Sequence, residues 1–433
     1  MVHLIEYRDP VEHCPGFLVY DGTACRLAVG GCRMKAGLTA DTLRTLSARM
    51  TLKQRVLGLN ADGAKCGVAY DPEGPRRSAV LRRFLEFLGD ELRRRFSMGA
   101  DMGTRFEELD SLAAGSGIGS VKYAVRVAQR LPEPEFYARM RLLDASVGGL
   151  TVGQRRAGHA LAHAALAAAA HAGRRPARLS CVLQGFGTLG RAAALALLEQ
   201  GVRVTAVADE HGCVVDPRGL DIARMLATDQ RRPVPGLLGS VLRLPSQSLF
   251  DLPADMLILA GGDDALTERQ ATLLPVPIVA VGANCGLRDE AERLLAERGS
   301  LVVPDFIGGI GGSASMEALF GPTRTPEPRE VLDTVAAMMR ELVGDILAGA
   351  RDQRLLPREV ALAIAQSTGV SPGERPYGGS PYRATTRAPH GQRADARHTL
   401  TRYTVTPHIA ARTAVAPSAA VRSAEARTQR GNR

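Results

Sequence analysis

Between Leu179 and Asp209 the chain reads LSCVLQGFGTLGRAAALALLEQGVRVTAVAD: an apolar strand, a glycine-rich turn, a helical segment and a second apolar strand. A unit of about 30 residues of this kind closes as a right-handed β-α-β crossover. The sheet it belongs to is therefore parallel and covered by helices on both faces. MLILA at Met256, IVAVGAN at Ile278 and SLVVPDF at Ser300 follow with helical segments between them, which extends the unit into a doubly wound sheet.

Gly185, Phe186, Gly187, Thr188, Leu189 and Gly190 spell G-F-G-T-L-G where the strand gives way to the helix. The first glycine permits a tight turn, the second lets the backbone approach a pyrophosphate, and the third lets helix and strand pack closely. Such a match is weak alone and gains weight here from the strand before it and the helix after it. Asp209, 24 residues beyond Gly185, is placed to accept hydrogen bonds from an adenosine ribose and to repel a 2′-phosphate, which favours NAD over NADP. The same aspartate in ADEHG also suits a plain turn.

A chain of 433 residues exceeds the ~250 to 300 at which single cores stop growing, and implies two domains. Residues 1–148 alternate strand-like GFLVYDG and CRLAVGG with helical ADTLRTLSARMTLKQRVLG, an α/β pattern. Alanine-rich AGHALAHAALAAAAHAG leads into the dinucleotide-binding, Rossmann-type domain, residues 149–325. Residues 326–370 read as two amphipathic helices that pack back on the first domain. Residues 371–433 lack apolar periodicity and read as a disordered basic tail, the functional chain ending near Tyr377. No apolar run reaches the ~18 to 20 residues that span a bilayer, and the N-terminus lacks a secretion signal, so a cytoplasmic protein is expected. The seven cysteines are scattered without ligand spacing, and no metal is implied.

The net charge of +10 sits mostly in the tail, where 11 arginines face three acidic residues, so it does not point to nucleic acid. Lysine usage says more. Only Lys35, Lys53, Lys65 and Lys122 are lysines among the 55 basic residues. A lysine kept against that background supplies what arginine cannot, an amine that loses its proton near neutral pH when desolvated, unless chance alone placed it.

Several segments in order resemble the glutamate, leucine, phenylalanine and valine dehydrogenase family. GGCRM at Gly30 looks like its glycine-pair segment, MTLKQRVLGLNADGAKCGVAYDP at Met50 like its two-lysine segment, and GADMGT at Gly99 like the one with its aspartate. VLQGFGTLG, VGAN and VVPDFIGGIGG then follow in the family's order. The resemblance implies two α/β domains, the first binding substrate and oligomerising. It implies that Lys53 clamps the substrate carboxylate, Lys65 is the general base, with a pKa lowered by burial, and Asp101 shuttles protons. Gly30, Gly31, Ser313 and Ser315 would line the substrate, and Ala260 and Asn284 would join the glycine motif in holding NAD. A small amino acid or 2-oxo acid and a homo-oligomer are the implied partners, with neither nucleic acid nor membrane.

Glutamate dehydrogenases carry a lysine before the glycine pair that pairs with the substrate's side-chain carboxylate. Here Val29 stands there, which favours an apolar side chain unless Arg26 or Arg33 supplies charge. Four departures from the family pattern are Asp62, expected to raise the pKa of Lys65, and Ala157, Leu259 and Val281 around the cofactor. They leave open a related imine or keto-acid coupling chemistry, or a non-catalytic NAD-binding homologue.

Overall fold

A computed structural model describes residues 2–229, 232–262, 265–283 and 286–383. The first region runs β1 (His3–Arg8), β2 (Pro15–Tyr20), β3 (Ala28–Met34), α1 (Ala40–Val56), β4 (Asp62–Val68), α2 (Arg77–Phe87), α3 (Gly89–Arg94), β5 (Phe96–Ala100), α4 (Phe106–Gly115), α5 (Tyr123–Gln129) and α6 (Glu133–Met140). Its sheet has the order β1-β2-β4-β3-β5, with β3 parallel to both neighbours and β1 and β2 antiparallel. β3 and β4 are buried along their whole length, which is why they carry glycine, valine and cysteine rather than an alternating pattern.

A hairpin of β6 (Ser146–Val147) and β7 (Leu150–Thr151) leads into α7 (Val152–His171). Thr151 caps this helix reciprocally with Gln154. Its alanines reflect burial on nearly every side: a side chain at Gly158 would overlap Leu189 O of the helix packed on it, so only small residues allow that approach.

The second region continues β8 (Ser180–Gln184), α8 (Thr188–Glu199), β9 (Arg203–Asp209), β10 (Gly212–Val215), α9 (Ile222–Leu226), β11 (Leu242–Leu244), β12 (Met256–Leu259), α10 (Glu268–Leu273), β13 (Ile278–Val281), α11 (Asp289–Glu297), β14 (Leu301–Val303), α12 (Asp305–Gly308), α13 (Gly311–Phe320), α14 (Pro328–Gln353) and α15 (Pro357–Ser367). The sheet order is β11-β10-β9-β8-β12-β13-β14, parallel from β9 to β14, with two antiparallel strands on one edge. One face is covered by α7 and α8 and the other by α10 and α11, the doubly wound arrangement. α14 lies along α7, and α15 returns to α1 of the first region. Among the described residues no helix is long and apolar enough to cross a membrane.

The expected tail starts too early. Tyr377 and Tyr382 are buried, and residues 371–378 bond to Asn60, Gln129 and Glu317. Two aromatics separated by glycines give no helical or strand period, so a packed irregular segment reads as disorder. Ending the chain at residue 370 is expected to remove roughly 3 kcal/mol or more of stability, about two buried aromatics. Ending it at 383 is expected to leave the urea midpoint unchanged; equal midpoints for the two truncations would refute the difference.

Candidate active site

Lys65 lies on β4 and Asp101 follows β5, with β3 between them in the sheet. Gly31 of β3 is what lets them meet across that strand. A Cβ there would stand 3.2 Å from Lys65 Nζ and 3.1 Å from Asp101 Cβ. With glycine in place, Lys65 Nζ and Asp101 form a direct ion pair, the lysine only 3% exposed. Gly30 serves the sheet instead, since a side chain there would overlap Ala64 O.

Asp101 is held by three more hydrogen bonds from two partners. Arg33, two residues along β3 from Gly31, sets its Nε and Nη2 at 3.4 and 3.3 Å from the carboxylate, and Met102 N donates at 2.7 Å. Burial opposes its charge, but Lys65 and Arg33 outweigh burial and hold the carboxyl down at about 2. Arg33 is therefore committed to Asp101 and is not free to meet a substrate side chain. Arg26 is no substitute, since it reaches outward to Gly373 O.

Lys53 sits on α1, 5% exposed, and donates to Gly309 O at 2.9 Å. Burial lowers its pKa to about 8, with Lys65 and Arg49 adding to the effect and Asp305 and Asp101 opposing it. One turn earlier on α1, Arg49 pairs with Asp305, which also accepts from Arg358 at 3.0 Å. Lys53 and Arg49 thus bind the Asp305–Gly309 segment of the second region to the face of α1. Gln54 Nε2 adds a bond to Ser313 Oγ at 2.8 Å. Ser315 is fully buried, and its hydroxyl donates to Gly312 O of its own helix at 2.8 Å, the local bond that short polar side chains make readily.

Asp62 does not face Lys65. Three residues apart on one strand, the two point to opposite faces. Asp62 accepts from Arg55 Nη2 and from Cys25 N, each at 2.8 Å. Leu259 and Val281 are buried strand ends in the apolar core, and Ala157 is half-buried on α7.

The glycine motif lies between β8 and β12, where the strand order reverses and open sheets of this kind bind ligands. Gly185 has φ 93°, and a Cβ there would press on Ala260 at 2.8 Å. A side chain at Gly190 would overlap Gly185 O, whereas nothing lies within 4 Å of a Cβ at Gly187. That open position starts α8, whose first N–H groups have no side-chain cap, so the cradle fits a dinucleotide pyrophosphate. Thr188 is exposed, Leu189 half-buried, and Phe186 is buried with Arg191 5.3 Å from its ring centre, so Phe186 offers only its backbone. The Asp209 carboxylate accepts from His211, Gly212 and Val234 N at 2.9, 3.1 and 2.6 Å, making the turn that was its second reading. Asn284 lies outside the described residues.

These contrasts separate two substitutions. Gly187→Ala is expected to leave the melting temperature unchanged and to weaken NADH binding, read by fluorescence titration. Gly190→Ala is expected to destabilise the protein without cofactor, by the ~1 to 3 kcal/mol of an overpacked contact. Equal melting shifts in the two variants would contradict the assignment.

Residues 148–368 match the model of the glutamate/leucine/phenylalanine/valine dehydrogenases, and residues 2–116 match that of their dimerisation domain. An NADP-specific glutamate dehydrogenase of Halobacterium salinarum is 28% identical over 284 residues, 65% of this chain and 66% of that protein; the match thus spans about two thirds of that relative's length. An NAD-specific glutamate dehydrogenase of Staphylococcus aureus is 27% identical over 304 residues, 70% of this chain and 71% of that protein. The hetero-hexameric glutamate dehydrogenase of Thermus thermophilus, in a leucine-bound form, superposes with a TM-score of 0.68 at 27% identity, covering 86% of this chain and 90% of that one.

Proposed function

We propose that this chain, which belongs to the glutamate/leucine/phenylalanine/valine dehydrogenase family, oxidatively deaminates an L-amino acid to the 2-oxo acid and ammonia with NAD. The observation that carries the reading is the buried Lys65–Asp101 pair beneath Gly31, facing the α1 surface that bears Lys53. Residues 1–148 form the substrate and association domain of a homo-oligomer, and residues 149–325 the dinucleotide-binding domain.

NAD, held by the Gly185, Gly187 and Gly190 cradle, would supply the acceptor for the hydride of the substrate's α-carbon. Protonated Lys53 holds the α-carboxylate and fixes the α-carbon's orientation. Lys65 takes the proton of the water that adds to the resulting imine carbon, and Asp101, kept ionised by Arg33, stabilises the ammonium so formed. The Lys65 ammonium then protonates the carbinolamine nitrogen and takes up the hydroxyl proton as the C–N bond breaks, releasing ammonia and the 2-oxo acid. Gly31 leaves the room in which the substrate nitrogen reaches Lys65.

Because Lys53 must be protonated to hold a carboxylate, kcat/KM is expected to fall as pH rises through about 8. Lys53→Arg should move that limb upward; an unchanged limb would take Lys53 out of the role.

NAD rather than NADP is favoured by the charge of Asp209 at the end of β9, although its hydrogen bonds serve the turn. For the side chain, Val29 supports an apolar substrate of the leucine, valine or phenylalanine type: it is buried among Val56, Leu57 and Val125. A second reading, a side-chain carboxylate, is favoured by Lys122 and Arg156. Absorbance at 340 nm with NAD and a panel of L-amino acids tests the function; NADH binding without turnover in either direction would instead favour a non-catalytic homologue.

A further inference from the structure

We propose that Lys122, with Arg156 beside it, is the specificity-determining cation pair that receives a carboxylate on the substrate's side chain. The proposal rests on the dehydrogenase reading and replaces the apolar substrate suggested by Val29 with an acidic one.

Lys122 directly precedes α5 and is 3% exposed. Its Nζ stands 3.7 Å from where a Cβ on Gly99 would lie. Gly99 is the cross-strand partner of Gly31, the residue over Lys65 and Asp101, and partners in a parallel pair point to the same face. The Lys122 amine thus reaches the reacting face of the sheet at β5, two strands over from Lys65 on β4. Val29, two residues before Gly31, points to that face as well. The strand position that holds a lysine in glutamate dehydrogenases is apolar here, and an amine arrives from α5 instead.

Arg156 on α7 carries the strongest nearby charge acting on Lys122. Its Nη1 lies 3.9 Å from Met316 Sδ, on the helix of Ser313, and its guanidinium 5.8 Å from the Phe106 ring centre. Among the described residues neither cation has an ion-pair partner. Asp110, the carboxylate that favours the Lys122 charge, is taken up by Ser120 Oγ at 2.6 Å and Val121 N at 2.9 Å. Burial and Arg156 push the Lys122 amine down to about 7.

Among the described residues other desolvated cations are met by carboxylates or carbonyls, Arg191 by the Met225, Leu226 and Thr228 carbonyls. Arg155 pairs with Glu199, Arg358 with Glu292 and Asp305, and Arg139 with Glu135 and the Leu319 carbonyl. Two desolvated cations left beside each other are unfavourable until an anion joins them. Three of the four lysines of an arginine-rich chain reach this one site, and the fourth, Lys35, is exposed. An anion on the substrate side chain supplies the missing partner.

The test is calorimetry of NADH-saturated protein with glutarate and with hexanoate, beside turnover of L-glutamate and L-norleucine. Wild type is expected to bind glutarate more tightly. Lys122→Met should weaken glutarate by at least about 100-fold, the scale of losing one partner of a desolvated charge pair, and leave hexanoate bound as well or better. Its loss with L-glutamate should fall on KM more than kcat, with Arg156→Met showing the same pattern to a smaller degree. Lys122→Met should melt no lower than wild type, since it removes an unpaired buried charge. Tighter binding of hexanoate by wild type, or glutarate binding indifferent to Lys122, overturns the proposal. Lys122-dependent glutarate binding without turnover of any amino acid would uphold the pair and refute the dehydrogenase reading, whereas L-glutamate turnover indifferent to Lys122 would do the reverse.

Discussion

Lys65→Ala is expected to bind NADH as wild type does and to turn over at least about 100-fold more slowly, the lower end for loss of a positioned acid or base. The cofactor cradle around Gly185, Gly187 and Gly190 lies on the other sheet and does not touch Lys65. Asp101 keeps Arg33 and Met102 N in the variant, so the carboxylate stays in place with a cavity where the amine stood. Small primary amines added to the assay should then restore part of the rate. Wild-type turnover in Lys65→Ala would remove the mechanism.

Asp101→Asn is expected to lose turnover on a similar scale while circular dichroism stays unchanged. The amide keeps the shape of the carboxylate but leaves Arg33 and Lys65 as two cations without their shared anion. Breaking a buried pair in this way costs about 3 kcal/mol or more. The pH dependence of that loss has a definite sign. The folded-state pKa of Asp101 is depressed from 3.8 to about 2, so its contribution is fully present above pH 3.8 and disappears as pH falls through about 2. Wild type and variant should therefore converge in stability across that window. A stability gap that persists at pH 2 would mean the variant is misfolded rather than uncharged.

Local chemistry was legible in the sequence where one segment contains it. The β-α-β unit, the spacing of its glycines and the setting of Lys53 and Lys65 each occupy a short stretch of chain, and the parallel sheet follows from them. What was not legible depends on which strands become neighbours. Asp62 looked close to Lys65 in sequence, yet strand alternation sends it to the opposite face and into Arg55. Arg33 looked available to a substrate until β3 was set between β4 and β5, where its guanidinium meets Asp101.

Lys122 was counted among the four lysines but not singled out, because only the pairing of Gly31 with Gly99 brings it to the reacting face. Its signal was already present in the scarcity of lysine. Nor does the motif around Ser315 foretell that its hydroxyl bonds the Gly312 carbonyl of its own helix. The packed segment ending at Arg383 has no periodicity to detect; Tyr377 is buried against Gln129 and Phe320, which lie far away in sequence.

The proposed reaction moves hydride from a substrate α-carbon to the nicotinamide. The most direct measurement is mass spectrometry of the reduced dinucleotide formed from NAD and L-glutamate deuterated at the α-carbon. One deuterium in NADH and a lowered kcat/KM against unlabelled substrate are expected, the labelled NADH forming at least about 100-fold more slowly in Lys65→Ala. NADH free of deuterium, with the label released to water, would contradict it.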